Sequence, residues 1–172
     1  MIIFVGYASA HGSTREIAER IAAKLNARGH RAELKSLERI QDTNGYDAFV
    51  LGSAVHDRAW LPHATQFVES HIDTLSARPV WLFSVGVPAA LGRPLRRLAE
   101  TKGRKVIARI RDAVFPRDHR LFSGVVHPEQ LPLLGRMIFR LAGGRYGDFR
   151  NWNEIDTWGE DIARQLTLHV KN

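Results

Sequence analysis

Within a few positions, Ser9-Ala10-His11-Gly12-Ser13-Thr14 gathers hydroxyl side chains around one glycine. The stretch joins the apolar run Ile2 to Tyr7, which reads as a strand, to a pattern starting near Arg15 in which Ile17, Ala18, Ile21, Ala22 and Leu25 recur at helical spacing. A strand-to-helix corner of this composition suits a phosphate monoester. The first helical turn has unpaired N–H groups and the positive end of the helix dipole, Ser9, Ser13 and Thr14 add donors, and Gly12 permits close backbone approach. The same residues would equally serve as an N-cap at Ser13 and a turn at Gly12, and the loop alone does not separate the two. There is no Gly-Lys-Ser/Thr ending for a nucleotide triphosphate and no Gly-x-Gly-x-x-Gly for a dinucleotide. His56-Asp57 could relay a proton or stand as a solvated pair. The chain has no cysteine, which excludes disulfides, thiolate nucleophiles and iron–sulfur clusters, and its histidines form no compact ligand cluster, so no metal site is expected.

The elements around this loop alternate. Ala32 to Leu37 reads as a second strand, Ala48 to Gly52 as a buried central strand lying beside the first, Leu61 to Leu75 as a crossover helix and Pro79 to Val85 as the next strand. Lys105 to Val114 reads as a helix, Leu121 to Val126 as the last strand and Ile155 to Val170 as the closing helix. The expected fold is α/β: an open parallel five-stranded sheet with helices on both faces, as one domain over residues 1–172, with an extra segment between the last strand and the closing helix. In such a sheet the loops after the first, third and fourth strands converge. This adds to Ser9–Thr14 two further stretches of candidate site residues, Ser53, Ala54, Val55, His56, Asp57 and Trp60, then Ser84, Val85, Gly86 and Val87.

Length, 172 residues at 44% hydrophobic, allows a packed core. No apolar run approaches a bilayer span, and the N-terminus opens into a strand without a basic leader, so a cytoplasmic protein, at most peripheral to a membrane, is expected. Charge is the more informative quantity: Lys and Arg number 25 against 18 Asp and Glu, a net +7. Between Arg93 and Arg111 eight basic residues face only Glu100, and elsewhere 17 basic balance 17 acidic residues, so this block holds the whole surplus. It fits an anionic membrane surface, an acidic substrate or an acidic protein partner; aromatic interleaving suited to nucleic acid is absent. In the extra segment, Pro128 to Trp152, the residues Leu131, Leu134, Met137, Ile138 and Leu141 share one helical face, Arg136 and Arg140 another, and Gly143-Gly144 stop the pattern. Such a helix serves a membrane, a partner, a homodimer contact or its own domain.

Val5, Tyr7, Ser9, Gly12, Thr14, Ala18 and Ile21 stand at the spacing of the flavodoxin signature, and the chain resembles that family, in which this loop wraps the phosphate of flavin mononucleotide (FMN). Gly6 replaces the family's usual bulky residue and points to close packing by a neighbour. The resemblance implies FMN as cofactor, with the second and third stretches flanking its isoalloxazine ring. Backbone amides and small hydroxyl residues would line the ring's polar edge, and His56 or Trp60 would lie beside it; Trp60 would equally serve as core. Electron-shuttling flavodoxins are typically acidic, so the basic block implies a different partner. The segment after the last strand and its Gly-Gly resemble the menaquinone-dependent protoporphyrinogen oxidases, flavodoxin-fold enzymes that pass electrons to membrane quinones. That likeness implies an FMN-dependent oxidoreductase moving electrons from a reduced, porphyrinogen-like substrate to a quinone. A non-enzymatic electron carrier and a basic interaction module that has lost its flavin are the alternatives, because one fold hosts many reactions.

Overall fold

The computed structural model describes residues 1–40, 42–56, 59–86, 107–130, 133–141 and 143–169. Five strands form the parallel sheet: β1 (Ile2–Ala8), β2 (Arg31–Ser36), β3 (Ala48–His56), β5 (Val80–Gly86) and β6 (Asp118–Ser123), in the order β2-β1-β3-β5-β6. The two-residue β4 (Ala59–Trp60) folds back antiparallel on the end of β3, pairing Val55 with Trp60. As expected, β3 lies beside β1, and the expected fold class holds.

The alternation of side chains along each strand divides the core into two layers. Ile3 and Val5 of β1, Ala48 and Val50 of β3, and Trp81, Phe83 and Val85 of β5 face α1 (Ser13–Ala27) and α6 (Trp152–His169). Phe4, Phe49, Leu51, Val80 and Leu82 face the other way, onto α2 (Pro62–Ser70), α3 (Ile72–Ser76) and α4 (Ala108–Val114). Gly6 has the close neighbour its position implied: a Cβ there would lie 2.5 Å from both Leu37 Cδ2 and Phe4 Cε1.

Three expectations are corrected. The single crossover helix is broken at His71, whose Nδ1 lies 2.8 Å from the Phe67 carbonyl while its backbone N–H turns to Val68 O. The imidazole thus takes the carbonyl that the helix ladder would have used. The last strand begins at Asp118, not Leu121, and stops at Ser123. As an edge strand it tolerates polar side chains; Asp118 is used to accept the Trp158 indole N–H at 2.8 Å. Finally, the extra segment is more than a helix. β7 (Val125–Val126) pairs antiparallel with β8 (Gly147–Asp148), and between them lies α5 (Leu133–Leu141). Leu131 and most of the basic block, residues 93–106, lie outside the described residues.

Candidate cofactor site

Parallel pairing places the C-terminal ends of the strands along one edge of the sheet. Ala8 stands opposite Ser53, Ser53 opposite Ser84, and Gly86 opposite Ser123. The Ser9–Gly12 loop leaves this edge and enters α1. Ser9 Oγ accepts the Gly12 N–H at 2.9 Å and so holds the turn. Gly12 is the N-cap residue, with φ 92° in the left-handed region, a conformation that a side chain would strain. Its carbonyl takes the first intrahelical bond, from Glu16 N at 3.1 Å.

This geometry speaks against Ser13 as the cap. Ser13 is the first residue inside the helix and not its cap, and among the described residues no side chain caps the start of α1. The N–H groups of its first turn therefore have no intrahelical partner. Thr14 is fully buried, and its Oγ1 has no hydrogen-bond partner among the described residues. A buried hydroxyl left without a partner is costly, and a bound anion at the uncapped turn would relieve it. These donors fit a phosphate group. Ala10 and His11 are exposed at the loop tip, and Ser9, Gly12 and Ser13 are half-buried.

The second and third stretches divide. Ser53 is buried, its Oγ donating to Ala54 O at 2.8 Å and accepting Leu61 N–H at 3.0 Å. Ser84 is buried too, its Oγ accepting the Trp60 indole N–H at 2.8 Å and lying 2.9 Å from His119 Nε2. Trp60 is 3% exposed and belongs to the core. Local pairing and burial turn these hydroxyls inward, and of the two roles open to Trp60 the indole takes the core one. Ala54 and Val55 are half-buried, His56 is exposed at the end of β3, Val85 is buried and Gly86 half-buried at the end of β5. Asp57 and Val87 lie outside the described residues.

Residues that the sequence did not single out also meet at the loop. Gly124, between β6 and β7, approaches so closely that a Cβ there would lie 3.0 Å from Ser13 Oγ and 2.9 Å from Val85 Cγ1; its N–H donates to Gly86 O at 2.8 Å. Glu16, in the first turn of α1, is held by the Arg150 guanidinium, which also grips Asp148 through Nη2 at 2.6 Å and Nε at 2.9 Å. The Arg150 guanidinium lies 4.6 Å from the centre of the Trp152 ring. Asp148 chiefly, with Glu16, raises the Arg150 pKa, and Arg150 in turn holds Asp148 below the usual carboxylate range. The extra segment thereby ties down a carboxylate of the first turn of α1 with a guanidinium that Asp148 shares. Beside the loop, Tyr7, Arg15, Lys35 and Ser36 border a shallow depression.

An open parallel sheet in the order β2-β1-β3-β5-β6, with the first loop entering α1 at the sheet's C-terminal edge, is the flavodoxin-type doubly wound arrangement. The chain belongs to the flavodoxin domain family, whose model it matches over residues 4–144. It is 28% identical over 168 residues to the protoporphyrinogen IX dehydrogenase [quinone] of Escherichia coli K12, covering 91% of this chain and 92% of that one. Among solved structures it is similar to a flavodoxin from Streptococcus pneumoniae TIGR4, with a TM-score of 0.61 at 14% identity over 98% of this chain and 99% of that one. It also superposes on the rubredoxin oxygen:oxidoreductase of Desulfovibrio gigas, with a TM-score of 0.66 at 14% identity over 99% of this chain; it spans 37% of that protein's length. The flavodoxin domain and fold imply flavin binding.

Proposed function

We propose that this chain is an FMN-dependent oxidoreductase that passes electrons from a reduced, porphyrinogen-like substrate to a quinone. The observation that carries the cofactor reading is the uncapped start of α1, where left-handed Gly12 precedes a buried Thr14 hydroxyl without a partner. Ser9, Ser13 and Thr14 with the first-turn N–H groups would hold the phosphate, and Gly124 leaves room beside Ser13. One such corner and no dinucleotide fingerprint favour FMN over FAD. When bound, the flavin supplies hydride or stepwise electron chemistry. The backbone of Ala54–His56 and Gly86 would border its ring, while Trp60, Ser84 and His119 stiffen the strand ends from behind. His56 is an exposed imidazole at the end of β3 that could exchange a proton with a substrate.

The substrate and acceptor rest on the likeness to the Escherichia coli dehydrogenase, which extends over nearly the full length of both chains. A lipid-soluble quinone would be met at a membrane surface, which an anionic bilayer would offer to a chain of net charge +7. The visible spectrum of the purified protein, followed by titration with FMN, FAD and riboflavin, tests the cofactor; riboflavin binding as tightly as FMN would overturn the phosphate site. Quinone-dependent oxidation of protoporphyrinogen by the flavin-loaded protein tests the reaction. Electron acceptance only from a separate reductase would make the chain a carrier instead.

A further inference from the structure

α5 turns a full apolar face away from the domain. Leu133, Leu134, Met137, Ile138 and Leu141 are 80, 65, 56, 57 and 81% exposed, at spacings that share one side of a helix. The helix is nevertheless anchored. On its other side Phe139 packs on Tyr146, with ring centres 5.3 Å apart. Its C-terminus closes in a paired turn, Gly144 N–H donating to Phe139 O at 2.8 Å and Gly143 N–H to Arg140 O at 2.9 Å, with Gly143 left-handed at φ 75°. The exposed face is thus presented by a helix whose C-terminal turn is closed and whose far side packs on Tyr146, beside β8, and a contiguous face of this kind marks an interaction site.

We propose that α5 lies in the headgroup–acyl boundary of an anionic phospholipid bilayer, with Met137 and Ile138 at the centre of the inserted face. Charge and area select this occupant. Arg136 and Arg140 are the only charged residues of α5, Arg145 follows, and no carboxylate intervenes between Glu129 and Asp148. Basic side chains flanking an apolar helical face suit anionic headgroups. A second copy suits it poorly. The exposed side chains of this nine-residue helix offer less accessible surface than the about 800 Å² per partner that a stable interface buries. A two-fold contact would also oppose the same arginines. Among the described residues no helix is long and apolar enough to cross a membrane, so α5 lies on the bilayer and does not span it. The proposal rests on the quinone reading only for its purpose; binding is measured without flavin, so the two can fail separately.

The test is co-sedimentation of the full chain with phosphatidylcholine vesicles, with and without phosphatidylglycerol, at low and high salt. Partitioning should rise with phosphatidylglycerol and fall with salt, each basic residue at the surface being worth about fivefold. Met137→Asp with Ile138→Asp should cut partitioning tenfold or more at both salts while the circular dichroism melt is retained. In a Met137→Trp variant, fluorescence of the introduced indole should be quenched by brominated acyl chains. Arg136→Gln with Arg140→Gln should flatten the dependence on phosphatidylglycerol. Protein that stays in the supernatant at low salt overturns the proposal. So does an aspartate variant that binds like the parent, which would assign binding to the basic block alone. A dimer in solution abolished by the aspartate pair would identify a second copy as the occupant, and bromolipid that leaves the introduced indole unquenched would place the face outside lipid.

Discussion

Replacing Thr14 with valine keeps the β-branched shape and deletes one hydroxyl, and the proposed phosphate site predicts opposite effects of this change with and without flavin. Thr14 is fully buried and its Oγ1 has no partner among the described residues. Leaving such a group desolvated costs about 1–3 kcal/mol. Thr14→Val should therefore stabilise the flavin-free protein by up to about that amount, and each kcal/mol should raise Tm by about 2–4 °C in a chain of this size. Threonine and valine have similar helix propensities, so the helix itself contributes little. With FMN bound, the same hydroxyl would donate to a charged phosphate, a bond worth about 1.5–3 kcal/mol, and its loss should weaken FMN roughly 10- to 150-fold. Riboflavin affinity should stay put. The assay is calorimetry of flavin-free and saturated protein beside fluorescence titrations of both flavins. A variant that melts lower without flavin would mean the hydroxyl has a structural partner. Unchanged FMN affinity would mean that α1 does not hold the phosphate.

Arg150→Ala should release Glu16 beside the loop and weaken FMN by on the order of 1 kcal/mol, about fivefold, and adding Glu16→Gln should recover most of the loss; a double-mutant cycle by FMN titration that is purely additive would uncouple the extra segment from the site. Gly52→Ala would drive a Cβ into the Phe83 ring, and overpacking of this kind should cost about 1–3 kcal/mol in denaturant unfolding; Phe83→Leu in the same chain should relieve it. Asp156 is hydrogen-bonded by Arg20 and Lys24, which lower its pKa from the ordinary 3.8 to about 2. A carboxylate held below its unfolded value stabilises the fold above that value and loses the contribution as pH falls through the folded one. The Tm deficit of Asp156→Asn should therefore be full at neutral pH and close between about pH 4 and pH 2; a deficit that persists at pH 2 would trace to packing.

The Ser9–Thr14 loop was legible because everything that defines it is local. A strand period gives way to a helical period across a few residues, and the hydroxyls and glycine fall at the change. The alternation of strands and helices, the place of β3 beside β1 and the apolar face of α5 follow from the same short-range periodicity. Whether Ser13 capped the helix was not legible, because capping depends on the φ of Gly12 and the pairing of Ser9, both set by how the loop closes. Trp60, Ser84 and His119 are far apart in the chain; only the pairing of β3, β5 and β6 brings them into one hydrogen-bonded cluster and turns them from the cofactor edge. Glu16 and Arg150 are separated by 134 residues. Neither position carries a local signal of the other, since a charged side chain has no periodicity that names its partner. The sequence by itself determined the elements and the phosphate-type corner through local pattern. Which hydroxyls stay available, and which charge is paired beside them, was decided by tertiary packing, because burial and long-range pairing exist only once the sheet has closed.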